Sequence, residues 1–436
     1  MQNKSEFDTV TLSEEQQALF DKLETTDRSV FITGNAGTGK SLLLQYFRAY
    51  SQKKLIVVAP TGVAALNVGG QTIHSLFRLP FSVVTQDALR KLRVDSRTAK
   101  LLKGLDCMVV DEISMVRADT MDAIDYVLRK ARNSVEPFGG LQMIMFGDLY
   151  QLPPVITSRE LQQYFDDMYG GAYCFHATSW KSIDPEIVEL STIFRQTDSN
   201  FIDMLNSVRG GTPNEGFLDR LNQRASVAAP NDGPITLATT NKAVAELNQK
   251  KLDALKENMH EYRASITGKL ERSAFPTEQV LQLKKGAQIM MLKNDKDKRW
   301  VNGSLGTIES ISKDKIRVNI NDNIYTVTPD TWSKINYYYD QKEGKIQEEV
   351  VSTFTQLPLR LAWAITIHKS QGQTYDSVII DLGRGAFAHG QTYVALSRCV
   401  SLNTLYLKRE ISHRDIIVDR SVIEFMGKQP ELAMPS

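Results

Sequence analysis

The chain has 436 residues, with 52 basic against 51 acidic side chains and a net charge of +1. At about 150 residues per domain this length suggests two or three domains with ample core. Hydrophobic residues at 42% and charged residues at 24% exclude a disordered or fibrous chain.

No apolar run approaches the ~18 residues of a membrane span. The start, MQNKSEFDTV, has neither an apolar leader segment nor the Arg-rich character of a transit peptide. Cys107, Cys174 and Cys399 form no C-x-x-C pair, which argues against a disulfide framework or a zinc site. The expectation is a soluble protein of a reducing compartment, cytoplasmic and without a membrane partner. A balanced charge means that a polyanionic partner is met by a local patch or a few placed groups.

In chain order, the first half alternates apolar runs with helical patterns. Strands are expected at Val30–Thr33, Leu55–Val58, Met108–Val110, Gln142–Phe146 and Ile187–Leu190. Helices are expected at Glu14–Leu23, Ser41–Tyr50 and Thr120–Arg132. Strand then helix, repeated, predicts a parallel sheet covered on both faces. A helix at Asn200–Val208 and a strand at Ile235–Thr239 continue that rhythm. From Gln288 to about Thr355 it gives way to short strands. Ile316, Val318 and Ile320 alternate with polar residues, and Asn321-Asp322-Asn323 predicts a hairpin turn before Ile324–Val327. The parallel rhythm returns at Leu361–Lys369, Ser377–Asp381 and Thr404–Leu407, so a β module splits a second α/β unit.

The strongest local signal is Gly34-Asn-Ala-Gly-Thr-Gly39-Lys40-Ser41, after a strand and opening a helix. Its glycines let backbone N–H groups close around phosphate oxygens at a helix N-terminus. Lys40 would reach the β/γ-phosphates and Ser41 would ligate Mg²⁺. The strand ending Val109-Val110-Asp111-Glu112 supplies a metal-holding carboxylate, Asp111, and beside it Glu112 to polarise an attacking water. An acid in that place favours hydrolysis over transfer to a substrate hydroxyl, and so disfavours a small-molecule kinase. Gln151, just beyond the strand that ends at Phe146, is placed to sense a γ-phosphate. Arg195 and Arg398, further along the chain, could stabilise its developing charge.

These motifs, in this order, resemble those of superfamily-one DNA helicases of the petite-integration-frequency (Pif) type, close to the RecD-like branch. Leu12-Ser-Glu-Glu-Gln16 resembles the motif that reads adenine. Ala59-Pro-Thr-Gly-Val-Ala-Ala65 and Thr72-Ile-His-Ser75 resemble the first strand-contacting motifs. Leu357 to Thr374 resembles the fifth motif and Val394-Ala-Leu-Ser-Arg398 the sixth. The stretch from Asp122 to Gly140 resembles the signature that separates Pif-type enzymes from RecD.

The resemblance implies an α/β fold of two RecA-like P-loop domains. The first, with residues 1–180, would carry a small wedge element at about 66–85. The second would comprise residues 181–270 and 350–428, with an inserted SH3-like β-barrel at 271–349 and a tail at 429–436. It also implies ATP and Mg²⁺ as cofactors and 5′-to-3′ movement on single-stranded DNA, with unwinding of 5′-tailed or structured DNA. The chain reads as a bare bacterial-type helicase core, monomeric in solution and associated with the nucleoid, in replication, repair or recombination. Telomere maintenance enters only as a term of the family. The nucleotide residues implied are Gln16, Gly37, Thr38, Gly39, Lys40, Ser41 and Gly372. Catalysis would fall to Lys40, Glu112, Gln151, Arg195 and Arg398, with metal at Ser41 and Asp111. DNA contacts are expected at Thr61, His74, Phe77, Asn241, His368 and Lys369, with Phe77 and Phe81 either wedge aromatics or the packing of that element.

Two other readings stay open. One is a RecD-type subunit of a recombination complex; the other is an ATP-driven remodeller of DNA-bound protein that separates no strands. The best basic run, Gln86–Leu105 with Arg90, Lys91, Arg93, Arg97, Lys100 and Lys103, is either a solvated helical face or a DNA contact. A motor that must release each phosphate every cycle should hold few of them. The slope of log affinity against log salt for single strands is about −0.7 per neutralised phosphate. Salt titration of single-strand binding is therefore expected to give a slope shallower than about −7, and a steeper one means on the order of ten contacts and a wide basic track.

Overall fold

The computed structural model describes residues 10–80, 82–230, 233–312, 315–340, 343 and 345–427. The chain divides into two units. The first holds residues up to Phe194, together with Ser333–Val351 and the segment from Arg420; the second holds Arg195–Trp332 and Ser352–Asp419. Among the described residues no helix is long and apolar enough to cross a membrane. All three cysteines are free and buried.

The first unit is built on six parallel strands: β1 (Val30–Gly34), β2 (Leu55–Ala59), β3 (Gln71–Thr72), β4 (Cys107–Val110), β5 (Gln142–Phe146) and β6 (Glu186–Leu190). Their order is β3-β2-β4-β5-β1-β6. β1, β4 and β5 are buried along their whole length, which is why they read as unbroken apolar runs rather than alternations. Leu43, Leu44 and Phe47 of the helix Lys40–Tyr50 pack one face, with Leu19 and Leu23 of the helix Glu14–Thr25. The helix Ala118–Arg132 packs the other through Met121, Ile124, Val127 and Leu128. The expected strands and helices are present, most shifted by one or two residues at an end.

The Asp122–Gly140 stretch acts here as a clamp. Asp125 Oδ1 accepts from Arg129 Nε and from the backbone N–H of Phe138, at 2.8 and 2.6 Å. Arg132 donates to Gly139 O and to Leu102 O at 2.8 Å each, and to Leu105 O at 3.1 Å. Leu102 belongs to the last turn of the helix Ser96–Lys103, so this guanidinium closes carbonyls that a helix end leaves unsatisfied.

The second unit has a four-stranded parallel sheet, in the order Ala364–Thr366, Ile235–Ala238, Val378–Asp381, Leu405–Leu407. It also has a five-stranded sheet in the order Asn323–Val327, Ile316–Ile320, Leu305–Ile311, Gln288–Met291, Leu359–Leu361, with every neighbouring pair antiparallel. The Asn321-Asp322 turn is as expected: both residues have positive φ, 49° and 61°, which a two-residue turn closing Ile320 onto Asn323 requires.

Two expectations need correction. Leu361–Lys369 is not one strand. Leu359–Leu361 ends the five-stranded sheet, Ala364–Thr366 lies in the parallel sheet, and His368–Ser370 is a 3₁₀ turn. The run is apolar because it is buried in both sheets, so its pattern carries no mark of the break. The β region also does not stay together. Residues 333–351, within the long strands Asp330–Asp340 and Lys345–Gln356, group with the first unit, because Ile335 and Tyr337 are buried in that unit's core. Gln71 Nε2 donates to Asn336 Oδ1 at 3.0 Å, and Arg48 pairs with Glu348 at 3.0 Å. The tail from 429 lies outside the described residues.

Arg132→Ala leaves several carbonyls without their charged donor, and hydrogen bonds to charged groups are worth ~1.5–3 kcal/mol each. Urea unfolding is expected to show a loss of about 2–4 kcal/mol, with the m-value retained.

Candidate active site

In parallel sheets, ligand sites lie beyond the carboxyl ends of the strands. β1, β4 and β5 are such neighbours, and each ends in a motif residue: the Gly34–Lys40 loop, Asp111-Glu112, and Asp148 with Gln151. The helix Lys40–Tyr50 begins at Gly39, in the left-handed region with φ 80° and no side-chain cap. Its first N–H groups are therefore presented to an anion. Lys40 Nζ donates to Gly34 O at 2.7 Å and Asn35 O at 2.9 Å, arching back over its own loop.

Gln16 does two jobs. Its Oε1 accepts from Ser13 N–H at 3.1 Å while Ser13 Oγ accepts from Gln16 N–H at 3.2 Å, a capping box that starts the helix Glu14–Thr25. Its Nε2 donates to Thr38 O at 3.3 Å, which ties that helix start to the phosphate loop. A Cβ on Gly39 would collide with this same Nε2. Thr38 is buried, and Ser41 lies in the first turn of the loop's helix.

Asp111 is half-buried, and its N–H donates to Val58 O at 2.9 Å. Burial pushes its carboxyl up to about 6, against the opposing pull of the Glu112 N–H and the Lys40 charge. Glu112 sits at φ 50°, an uncommon place for a non-glycine residue and one that clusters at functional sites. Gln151 is buried, and its Nε2 donates to Asp148 Oδ2 at 3.2 Å. Phe194 is a site residue that sequence reading passed over. Its N–H donates to Gly37 O at 2.9 Å, and its ring is 55% exposed. The available signal was its position, an aromatic immediately before Arg195.

In the second unit, Arg195 and Arg398 stand side by side. Arg195 NH1 donates to Ser397 O at 3.0 Å. Burial pushes the Arg195 guanidinium down to about 9, and the Arg398 charge adds to the effect. Arg398 is 1% exposed. It donates to Val394 O at 2.9 Å, Gln373 O at 3.2 Å and Ser397 Oγ at 2.9 Å. It thereby holds the loop that carries Gly372, which has φ 77° and open space around it.

The residues expected to touch DNA fare unevenly. Thr61 caps the helix Gly62–Asn67, its Oγ1 accepting from Ala64 N–H at 3.2 Å. His74 is half-buried; burial and then the Arg117 charge hold its pKa down, against Asp119. Phe77 requires correction. It is 4% exposed inside the first unit's core, so neither ring face is open to a base. Phe81 lies outside the described residues. Asn241 is exposed at the start of the helix Asn241–Ala254. His368 and Lys369 share the 3₁₀ turn, the first half-buried and the second exposed. Desolvation lowers both, and for Lys369 the Arg360 charge adds to it. In the basic run, Arg97 pairs with Glu349 and lies 5.0 Å from the centre of the Tyr338 ring.

A family model of PIF1-like helicases matches residues 11–216, and one of the DNA helicase Pif1 2B domain matches residues 269–311. The ATP-dependent DNA helicase Pif1 of Bdellovibrio bacteriovorus is 35% identical over 95% of this chain and 92% of its own length. This chain belongs to the PIF1-like helicase family.

The PIF1 helicase of Mus musculus is 37% identical over 90% of the chain, and the chain spans 59% of that relative's length. The structure of Bacteroides sp Pif1 in complex with ADP-AlF4 has a TM-score of 0.88 at 38% identity, covering 96% of both chains. The same Bacteroides protein bound to ssDNA has a TM-score of 0.69 at the same coverage. The fold of this chain is that of the PIF1-like helicases.

Gly39→Ala would force a Cβ into a left-handed position already taken by Gln16, a strain of ~1–3 kcal/mol borne by the phosphate loop. ADP titration calorimetry is expected to show affinity weakened by roughly tenfold to a hundredfold.

Proposed function

We propose that this PIF1-like helicase is a DNA-stimulated ATPase that moves 5′ to 3′ on single-stranded DNA and unwinds 5′-tailed or structured duplexes. The observation that carries the ATPase reading is the set of motif residues at neighbouring strand ends, with Lys40 Nζ folded back over the phosphate loop onto Gly34 O and Asn35 O. The DNA reading is supported by the relatives at 35–37% identity, which are named as DNA helicases, and by the solved complex with ssDNA; the direction rests on the resemblance of the motifs.

In this reading the Gly37–Ser41 amides and Lys40 hold the β- and γ-phosphates, while Phe194 offers its exposed face to the base. Mg²⁺ fits the donor set of Ser41 Oγ and the Asp111 carboxylate, and would neutralise charge on the phosphate oxygens. Glu112 takes the proton of the attacking water. Gln151 turns from Asp148 to orient that water. Arg195 and Arg398 meet the charge that develops on the transferred phosphate. Thr61, His74, Asn241, His368 and Lys369 are the proposed strand contacts. Two RecA-like domains with an SH3-like 2B insertion are part of the same proposal, as are a monomeric state and a cytoplasmic site of action.

Unwinding of two partial duplexes, one 5′-tailed and one 3′-tailed, is expected to succeed on the 5′ tail alone. Failure on both with DNA-stimulated hydrolysis intact would instead support a remodeller that separates no strands. Removing a positioned general base costs typically 10²–10⁴ in rate. Glu112→Gln is therefore expected to lose DNA-stimulated turnover by about that factor while binding ADP as the parent does, and wild-type turnover would remove Glu112 from the mechanism.

A further inference from the structure

The fifth-motif stretch connects two sheets of the second unit. Leu359–Leu361 pairs with Gln288–Met291, and after Ala362-Trp363 the chain enters the parallel sheet at Ala364–Thr366. It then forms the His368–Ser370 turn and the loop to Gln373, whose N–H donates to Ser370 O at 3.0 Å. Arg398 NH1 grips that loop, with Gln373 O at 3.2 Å and Ser370 O at 3.5 Å.

The loop's other flank meets the Val301–Ser304 turn, which leads into the strand Leu305–Ile311. That turn is firmly fixed. Gly303 N–H donates to Met291 O at 2.8 Å and Met291 N–H to Ser304 O at 2.9 Å. Asn302 N–H donates to Asn294 Oδ1 at 2.8 Å. Gly303 has φ 94°, and a Cβ there would collide with Gln373 Oε1 and stand 3.1 Å from its Cδ. The Gln373 side chain therefore lies directly along the Gly303 backbone. A second link runs parallel to it, as Tyr375 donates from its hydroxyl to Met290 Sδ at 3.4 Å and from its N–H to Arg398 O at 2.9 Å.

We propose that Gln373, seated on Gly303, is a positioning residue through which the Val301–Ser304 turn sets the Ser370–Gln373 loop and, with it, Arg398. The inference rests on the ATPase reading above for its catalytic consequence. A side chain at 303 would push Gln373 off its seat and shift the loop that Arg398 grips. Shortening Gln373 would vacate the space such a side chain needs.

The test uses the full chain with Gly303→Ala, Gln373→Ala and the double variant. It reads amide exchange across residues 368–376 together with kcat and KM for DNA-stimulated ATP hydrolysis. Ångström-scale misplacement near a reacting centre costs up to ~10²-fold, so Gly303→Ala is expected to lower kcat roughly tenfold, with KM changed by less than about twofold. Loop exchange should rise by a similar factor. Gln373→Ala alone should raise exchange and lower kcat by only about two- to threefold, and the double variant should recover part of the Gly303→Ala loss, the remainder being the strain of an alanine at φ 94°, the non-additivity expected of residues in contact.

Wild-type exchange and kcat in Gly303→Ala would overturn the proposal. So would a double variant as impaired as Gly303→Ala, because the cost would then lie in the positive φ alone. If Gly303→Ala does not fold, unchanged loop exchange in Gln373→Ala overturns it equally. A parent chain lacking DNA-stimulated hydrolysis would defeat the ATPase reading, and the exchange comparison would still decide the contact.

Discussion

The second unit is organised around the buried guanidinium of Arg398. Removing a cation from water is costly unless its donors are matched, and this one is matched by carbonyl and hydroxyl oxygens of two segments. Those bonds tie the helix Gln391–Leu396 to the Ser370–Gln373 loop. The charged form of Arg195 beside it is disfavoured first by burial, and the Arg398 charge adds to that cost. An anion reaching these two groups would relieve that repulsion.

Much of the first unit was legible because its parallel strands are buried on both faces. Full burial demands short, unbroken apolar runs, and the helices between them are bounded by residues such as Ser13 and Gly39 whose backbone roles are local. The phosphate loop and the Asp111-Glu112 pair are legible for the same reason: each is contiguous in sequence and needs only its own strand to be recognised. Nothing local marks where the fifth-motif run changes sheets at Ala362-Trp363, since both halves are equally apolar. Nor could local pattern show that Ile335 and Tyr337 join the first unit's core, because the groups that receive that segment, Arg48 and Gln71, lie more than 250 positions earlier in the chain.

Aromatic residues were the least legible part of the site. Phe77 and Phe194 look alike in sequence, each next to a motif, after an aliphatic residue and before an arginine. Packing separates them. Phe77 is drawn inward on a short helix whose Ile73 and Leu76 are also buried. Phe194 is held outward by its own backbone, since the N–H bond to Gly37 O fixes the main chain against the phosphate loop and leaves the ring no core to enter. Exposure of a large apolar ring at a fixed position carries information that burial of one does not.

The phosphate loop is braced by bonds within the first unit. Lys40 Nζ is bonded to Gly34 O and Asn35 O, and Gln16 braces Thr38 from the other side. The lysine does not search solvent for its partner; it already lies over the space enclosed by the loop. Phosphate oxygens would replace neutral carbonyls as its acceptors, and charge-assisted bonds are roughly twice as strong as neutral ones. The exchange therefore gains attraction while little conformational freedom remains to be lost. Arg398 is likewise kept in place by carbonyls of its own unit. In each unit a charged group is held by neutral partners of the backbone around it, which fix its position.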